Sequence, residues 1–121
     1  MDDRIAVGRA AEQAVAEELQ RQGYVVVDRN ARDRHAELDL VVRRGSAIVA
    51  VEVRSRRSGD DDAAADSVDA RKRGKVRGAM ERWLAARPED YDEVRFFVAA
   101  VAWRAGWPDG RPEITLFEDA F

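Results

Sequence analysis

The alternation of apolar and polar residues along the chain predicts two helices and about five strands. Residues 4–22 carry apolar side chains at helical spacing, and Gly23 suits the position just after the last helical turn. A second helix is predicted to begin with Asp66 or Ser67 as its N-cap and to end before Pro88. Apart from a central hairpin, short apolar runs predict strands at residues 24–27, 94–103 and 113–117. The resulting order, α-β-β-β-α-β-β, predicts an α/β fold.

The central hairpin is predicted at residues 37–54. Charged and apolar residues alternate in its first arm, and its second arm is β-branched and almost wholly apolar. A two-residue Gly-Ser turn pairs Arg44 with Ala47. The same register places Asp39 opposite Glu52, with Cβ atoms about 4.5–5.5 Å apart. A four-residue turn would instead make this contact diagonal.

Two carboxylates at this distance repel each other unless a positive group lies between them. A divalent cation with oxygen ligands would meet this need, and Arg54 lies two residues beyond Glu52 on the same face. The alternative is an ordinary pairing of Glu52 with Arg54 on a solvated strand face. Because the chain has no cysteine and one histidine, the hairpin favours Mg²⁺ or Mn²⁺ over zinc.

Each predicted helix places one charged residue among its apolar positions. Glu12 falls within the first stripe and needs a partner if it is buried, unless it lies at the edge of the stripe in a salt bridge. Lys72 opens the second stripe, near a helix N-terminus where the helix dipole disfavours a cation. The first stripe comprises Ile5, Gly8, Val15, Ala16 and Leu19. The second comprises Val68, Lys72, Val76, Ala79, Met80 and Trp83.

The composition indicates one globular domain, residues 1–121, with 37% charged and 45% hydrophobic residues. We expect a cytoplasmic protein with no membrane partner, because the sequence contains no signal-peptide pattern and no apolar run of membrane-spanning length. The net charge is −3, but residues 71–82 hold six basic residues against one acidic residue. Such local segregation favours a polyanionic partner, although a solvated helix face gives the same composition.

An acid in the first helix, an aspartate in a strand and Glu-x-Arg in the next strand resemble the PD-(D/E)xK nuclease superfamily. More closely, the chain resembles the YraN family of predicted endonucleases, which is similar in fold to archaeal Holliday junction resolvases. The matching residues extend over nearly the whole chain and include Gly8, Glu12, Ala16, Leu19, Gly23, Tyr24, Asn30, Arg32, residues 36–40, residues 51–56, Lys72, Ala79, Trp83, Leu84, Arg95, Phe96, Ala120 and Phe121.

The resemblance implies a restriction-endonuclease-like mixed sheet of about five strands flanked by helices. It implies Mg²⁺- or Mn²⁺-dependent cleavage of DNA phosphodiester bonds, on branched or otherwise structured DNA. Asp39, Glu52 and the Val53 carbonyl would hold the metal, Glu12 would complete or support its shell, and Arg54 would stabilise charge. The expected phosphate contacts are Arg32, Arg56, Arg57, Lys72 and Lys75.

The sequence departs from the family pattern at two positions. Arg54 stands where a catalytic lysine is expected, and Phe97 stands where an aspartate usually follows Arg-Phe. Arginine can stabilise developing charge but cannot act as a base, since its pKa exceeds about 12. The alternatives are therefore a nucleic-acid-binding module whose catalysis has lapsed, or a small interaction domain. The sequence leaves the oligomeric state open, including a homodimer.

Overall fold

The computed structural model describes residues 4–56, 69–87 and 90–121 and shows the predicted order of elements. The elements are α1 Arg4–Arg21, β1 Val25–Arg32, β2 Glu37–Arg44, β3 Ala47–Arg56, α2 Ala70–Ala85, β4 Glu93–Arg104 and β5 Arg111–Phe117. The two helices flank one mixed sheet of five strands, so the α/β prediction is confirmed.

The strands lie in sequence order, β1-β2-β3-β4-β5, within the sheet. Neighbouring strands are antiparallel except β3 and β4, which are parallel and are connected through α2. This makes β3 the central strand, hydrogen-bonded on both sides, as its continuous apolar pattern predicts.

The hairpin has the predicted register. Arg44 pairs with Ala47 around a two-residue turn in which Gly45 adopts a φ of 62°, a conformation that glycine reaches without steric strain. The paired residues extend to Leu40 and Val51. No backbone pair joins Asp39 to Glu52, but their side chains interact just beyond the last pair, as the predicted register requires.

Each face of the sheet is covered by one helix. The α1 face packs Val15 and Leu19 against Leu40, Val51 and other strand residues. The α2 face has its own core, formed by Leu38, Val41, Ile48, Ala50, Val76, Ala79, Met80 and Trp83. The α2 stripe is thus confirmed at its four residues from Val76 to Trp83, whereas Val68 lies outside the described residues.

The predicted stripe of α1 is wrong near its start. Ile5 is 70% exposed, and Val7 and Ala11 are buried in its place. Two residues correspond to a rotation of about 200° around a helix, so Ile5 and Val7 cannot both face the sheet. The buried side instead follows the four-residue spacing from Val7 through Ala11 to Val15.

Two element boundaries also differ from prediction. Strand β1 continues to Arg32 through a segment expected to be irregular, because its backbone pairs with β2 as far as Glu37. Helix α2 begins at Ala70 with Asp69 as its N-cap, and the Asp69 side chain accepts a hydrogen bond from the Lys72 backbone N–H. The predicted caps, Asp66 and Ser67, lie outside the described residues.

None of the helices within the described ranges is both long and apolar enough to cross a membrane.

Candidate metal and nucleic-acid site

The proposed site lies where β2 and β3 continue beyond their last regular pair. Asp39 is partly buried there, and its Oδ2 accepts a 2.8 Å hydrogen bond from the Val53 backbone N–H. This contact joins the two arms of the hairpin and fixes the Asp39 carboxylate beside β3. The carboxylate therefore lies next to the backbone of the residue that follows Glu52.

Glu52 is the one charged or polar residue that is fully buried in the described part of the chain, with 1% of its surface exposed. Ile48 and Ala50 belong to the core beneath α2, so the alternation of β3 places Glu52 on that same face. Its Oε1 is buried and has no hydrogen-bond partner in the described structure. A buried carboxylate oxygen without a donor is costly and is uncommon in folded proteins.

The protonation of Glu52 reflects this environment. Burial raises its pKa to about 8, and the negative charge of Asp39 adds to the effect. The two carboxyl groups also lie within hydrogen-bonding reach, a contact that requires one of them to be protonated. The positive charges of Lys72 and then Arg54 act to lower the pKa of Glu52. Asp39, Lys72 and Arg54 thus all lie close enough to Glu52 to interact with it electrostatically.

Glu12 reaches the same region from α1. Its pKa is raised, first by burial and then by the charges of Asp39 and Glu37. The sequence places Glu12 within the buried stripe of α1, and in the structure it is partly buried with Asp39 and Glu37 as acidic neighbours. Glu37, at the start of β2, is a further acidic neighbour that was not among the predicted site residues.

Asn30 connects these acids and was missed as a site residue. With its amide nitrogen turned toward them, it donates hydrogen bonds of 3.1 Å to Glu12 Oε2 and 3.0 Å to Glu37 Oε1. Its backbone has a φ of 50°, in the left-handed region that asparagine tolerates better than most residues. An asparagine inside an otherwise strand-like segment was the available signal, because asparagine is depleted in strands.

The donor set suits a hard divalent cation in part. Oxygen ligands are what Mg²⁺ and Mn²⁺ prefer, and the Glu52 carboxyl group, with its unpartnered Oε1, adjoins that of Asp39. No group of three carboxylate, histidine or cysteine side chains able to hold a metal ion is present among residues 4–56, 69–87 and 90–121. A cation here would draw its remaining ligands from the backbone and water, as Mg²⁺ commonly does.

The two lysines of the predicted phosphate-binding set lie on α2. Lys75 is exposed, whereas Lys72 is half-buried and acts electrostatically on Glu52. Near them, exposed Arg71 and half-buried Arg73 belong to the first turns of the same helix. The N-terminal half of α2 is thus a basic surface that begins at the carboxylate pair.

Two of the three predicted arginine contacts belong to strands of the sheet. Arg32 is exposed at the end of β1 and forms a 3.4 Å ion pair with Glu37. Arg56 is the last residue of β3. Arg57 lies outside the described residues.

The fold and the paired carboxylates define a small α/β protein with an acidic centre on its central hairpin and a basic helix beside it. By comparison with known proteins, the chain belongs to the uncharacterised protein family UPF0102, whose family model matches residues 11–101. This is the YraN family, so the resemblance seen in the sequence is confirmed.

Relatives in several bacteria match over most of their length. A UPF0102 protein of Sorangium cellulosum is 42% identical over 99% of this chain and 83% of its own. One from Anaeromyxobacter dehalogenans is 38% identical over 99% of this chain and 87% of its own. One from Frankia alni is 39% identical over 80% of this chain and 81% of its own.

Proposed function

We propose that this protein is a Mg²⁺- or Mn²⁺-dependent endonuclease that acts on DNA phosphodiester bonds in branched or otherwise structured DNA. The observation that carries the proposal is the buried Glu52, whose Oε1 has no hydrogen-bond partner and whose carboxyl group adjoins Asp39. Burying an acid in this way costs stability, and buried acids with a strongly shifted pKa cluster at functional sites.

Asp39 and Glu52, with the Val53 carbonyl, are the groups proposed to hold the cation, and Glu12 would hold a water in its outer shell. A cation bound there would polarise a phosphate oxygen and lower the pKa of a bound water. The Val53 N–H holds Asp39 in position through its 2.8 Å hydrogen bond, so the carboxylate needs little reorganisation.

Arg54 and Lys72 are proposed to neutralise the charge that develops at phosphorus. Both act on Glu52 in the structure, and of the two Lys72 has the larger effect on its pKa. Arginine side chains stabilise charge and do not act as bases, so the proposed role of Arg54 is charge stabilisation.

DNA binding is assigned to the basic residues around the carboxylate pair. Lys75 and the N-terminal half of α2 would contact phosphates on one side, and Arg32, Arg56 and Arg57 on the other. Such contacts fix the position of the DNA without reading its sequence. This agrees with a preference for DNA shape.

The second candidate function is a nucleic-acid-binding module that has lost catalysis, and Arg54 favours it. In that case the Arg54 guanidinium supplies the positive charge beside Glu52 that a metal ion would otherwise supply. It then competes with a metal ion for Asp39 and Glu52. Both candidates predict salt-sensitive DNA binding, and only the first predicts cleavage.

One experiment separates the two candidates. Wild type, Arg54→Lys and Arg54→Ala are incubated with one labelled four-way junction, with Mg²⁺ and with EDTA. For the nuclease we expect Mg²⁺-dependent nicking by wild type, equal or faster nicking by Arg54→Lys, and a rate loss in Arg54→Ala of about 2.7–4 kcal/mol. DNA binding by all three proteins without nicking would contradict the nuclease and support the binding module.

A further inference from the structure

A cavity of about 270 Å³ lies between β1 and the C-terminal half of α2. Its inner surface is apolar and includes Ala31, Leu38 and Ala79, with Trp83 as an aromatic wall. Charged residues from both elements complete the lining: Asp28, Arg32, Asp33, Arg82 and Arg87. Neither Asp39 nor Glu52 lines the cavity, and of its lining residues only Arg32 belongs to the DNA contacts proposed above.

The aromatic wall is held rigidly. Trp83 Nε1 donates a 2.9 Å hydrogen bond to Asp28 Oδ2, and Arg87 Nη2 donates to the same oxygen at 2.8 Å. The Arg87 guanidinium lies 4.7 Å from the centroid of the Trp83 ring. The guanidinium thus lies over one face of the buried indole, and its exposed side is a cationic surface of the kind on which nucleobases stack.

The charges of the cavity favour an anionic ligand. Three arginines face two aspartates, so the lining carries a net positive charge. Arg82 binds Asp33 through Nε, and Arg87 binds Asp28 through Nη2. A guanidinium carries five N–H donors, so both arginines keep donors for a phosphate after making these ion pairs.

The volume and the position of the cavity limit which ligand it can hold. Pockets for drug-sized ligands begin at about 300 Å³, so a cavity of about 270 Å³ suits one base and not a longer segment. Leu38 lines the cavity and directly precedes Asp39, and Arg32 lines it while pairing with Glu37. The cavity therefore adjoins the segment of β2 that carries Asp39.

We propose that this cavity binds one unpaired nucleobase of the DNA, next to the phosphate held at Asp39 and Glu52. The base lies against Ala31 and Leu38 and stacks on the exposed side of the Arg87 guanidinium, while Arg82 contacts its phosphate. This assignment rests on the proposed action on DNA. It specifies that action further, because it makes an extrahelical base a determinant of which structured DNA is bound.

The test compares two duplexes in EDTA that differ only in one bulged position, which carries either adenine or an abasic residue. The two have the same backbone and a similar capacity to bend. Wild type is expected to bind the adenine bulge about tenfold more tightly, the gain typical of stacking one base. Equal affinity for the two bulges would overturn the proposal.

Variants that fill the cavity test whether the preference for the adenine bulge arises there. Ala31→Leu fills the cavity without changing charge, and Ala14→Leu on α1, which does not line this cavity, is its matched control. We expect Ala31→Leu to lose the adenine preference while binding the abasic bulge as wild type does, and Ala14→Leu to keep both affinities. An adenine preference retained in a folded Ala31→Leu protein would contradict the assignment.

Arg87→Gln decides the question if Ala31→Leu does not fold, because it removes the exposed guanidinium on which the base is proposed to stack. It should reduce the preference for the adenine bulge over the abasic bulge, whereas an unchanged preference would overturn the assignment. The failure of the cavity is distinguishable from the failure of the proposed function. Wild type that nicks a junction but does not distinguish the bulges contradicts only the cavity, and wild type that binds no DNA contradicts both.

Discussion

The carboxylate of Asp39 in β2 accepts a 2.8 Å hydrogen bond from the Val53 backbone N–H in β3. This bond continues the hairpin beyond the last regular pair, Leu40 with Val51, through a side chain in place of the main chain. One oxygen of Asp39 is thereby anchored, and its carboxylate is directed toward Glu52. An acid that would otherwise be repelled from Glu52 is kept beside it by the backbone.

Asp39→Asn should remove metal binding without unfolding the hairpin. Asparagine has nearly the same shape, and its side-chain oxygen can still accept the hydrogen bond from Val53, but it contributes no charge to a cation. Mn²⁺ at a hundred times its dissociation constant should stabilise wild type by about 2.7 kcal/mol and raise its melting temperature. An equal rise in Asp39→Asn would contradict a metal site at this position.

Glu52 should make the stability of the metal-free protein depend on pH. Burial raises its pKa from 4.5 to about 8, so the folded state binds the proton more tightly than the unfolded state. The associated stability is fully present below pH 4.5 and is lost as the pH rises through about 8. Denaturant unfolding in EDTA between pH 5 and 9 should show this fall in wild type and a flatter profile in Glu52→Gln.

Glu113→Gln is the control for that measurement. Glu113 is exposed, and its hydrogen bond with Arg104 lowers its pKa, so it is ionised throughout the same pH range. Its variant should keep the wild-type slope. A Glu52→Gln protein with the wild-type slope would mean that Glu52 does not titrate as its burial requires.

Lys75→Ala should weaken DNA binding without changing preference among sequences. Lys75 is exposed on the basic half of α2, and each lost phosphate contact flattens the slope of log K against log salt by about 0.9 on duplex DNA. Arg111→Ala is the control, since it removes one positive charge from exposed β5 on the far edge of the sheet. Equal slopes for Lys75→Ala and wild type would show that this side of α2 does not contact DNA.

Asn30→Gly should impair the site while preserving the backbone. Glycine adopts the φ of 50° without strain, but it removes the amide that donates to Glu12 and Glu37. The Asn30 hydrogen bond lowers the pKa of Glu12, so its loss should move the acidic limb of the nicking profile to higher pH. We expect a rate loss of about 10–100-fold, as for other outer-shell partners of metal ligands. A lower rate with an unshifted pH profile would indicate a purely structural role.

The main elements and the centre of the site were predictable from local patterns. The Gly45 turn and the alternation of the hairpin determine the register, and the register brings Asp39 to Glu52. Lys72 opens an otherwise apolar stripe, and in the structure that position places it near Glu52. The register could be predicted because it depends on spacing within two adjacent strands, whereas the proximity of Lys72 to Glu52 was not predicted.

The parts that were not predicted depend on partners far apart in the chain. Trp83 and Asp28 are separated by 55 residues, and no periodicity relates them. Asn30 acts through an unusual backbone conformation that side-chain pattern does not encode. The exposure of Ile5 follows from the rotation of α1 against the sheet, which the apolar residues of α1 specify only weakly because several are alanines.

The most direct test of the central claim is the rate of Mg²⁺-dependent nicking of a labelled four-way junction by wild type and by Asp39→Asn. The two proteins are compared at equal DNA occupancy, with EDTA as the blank. The proposed site predicts nicking by wild type that requires Mg²⁺ and is lost in Asp39→Asn while DNA binding is retained. Nicking that persists in Asp39→Asn, or in EDTA, would contradict a metal site at Asp39 and Glu52.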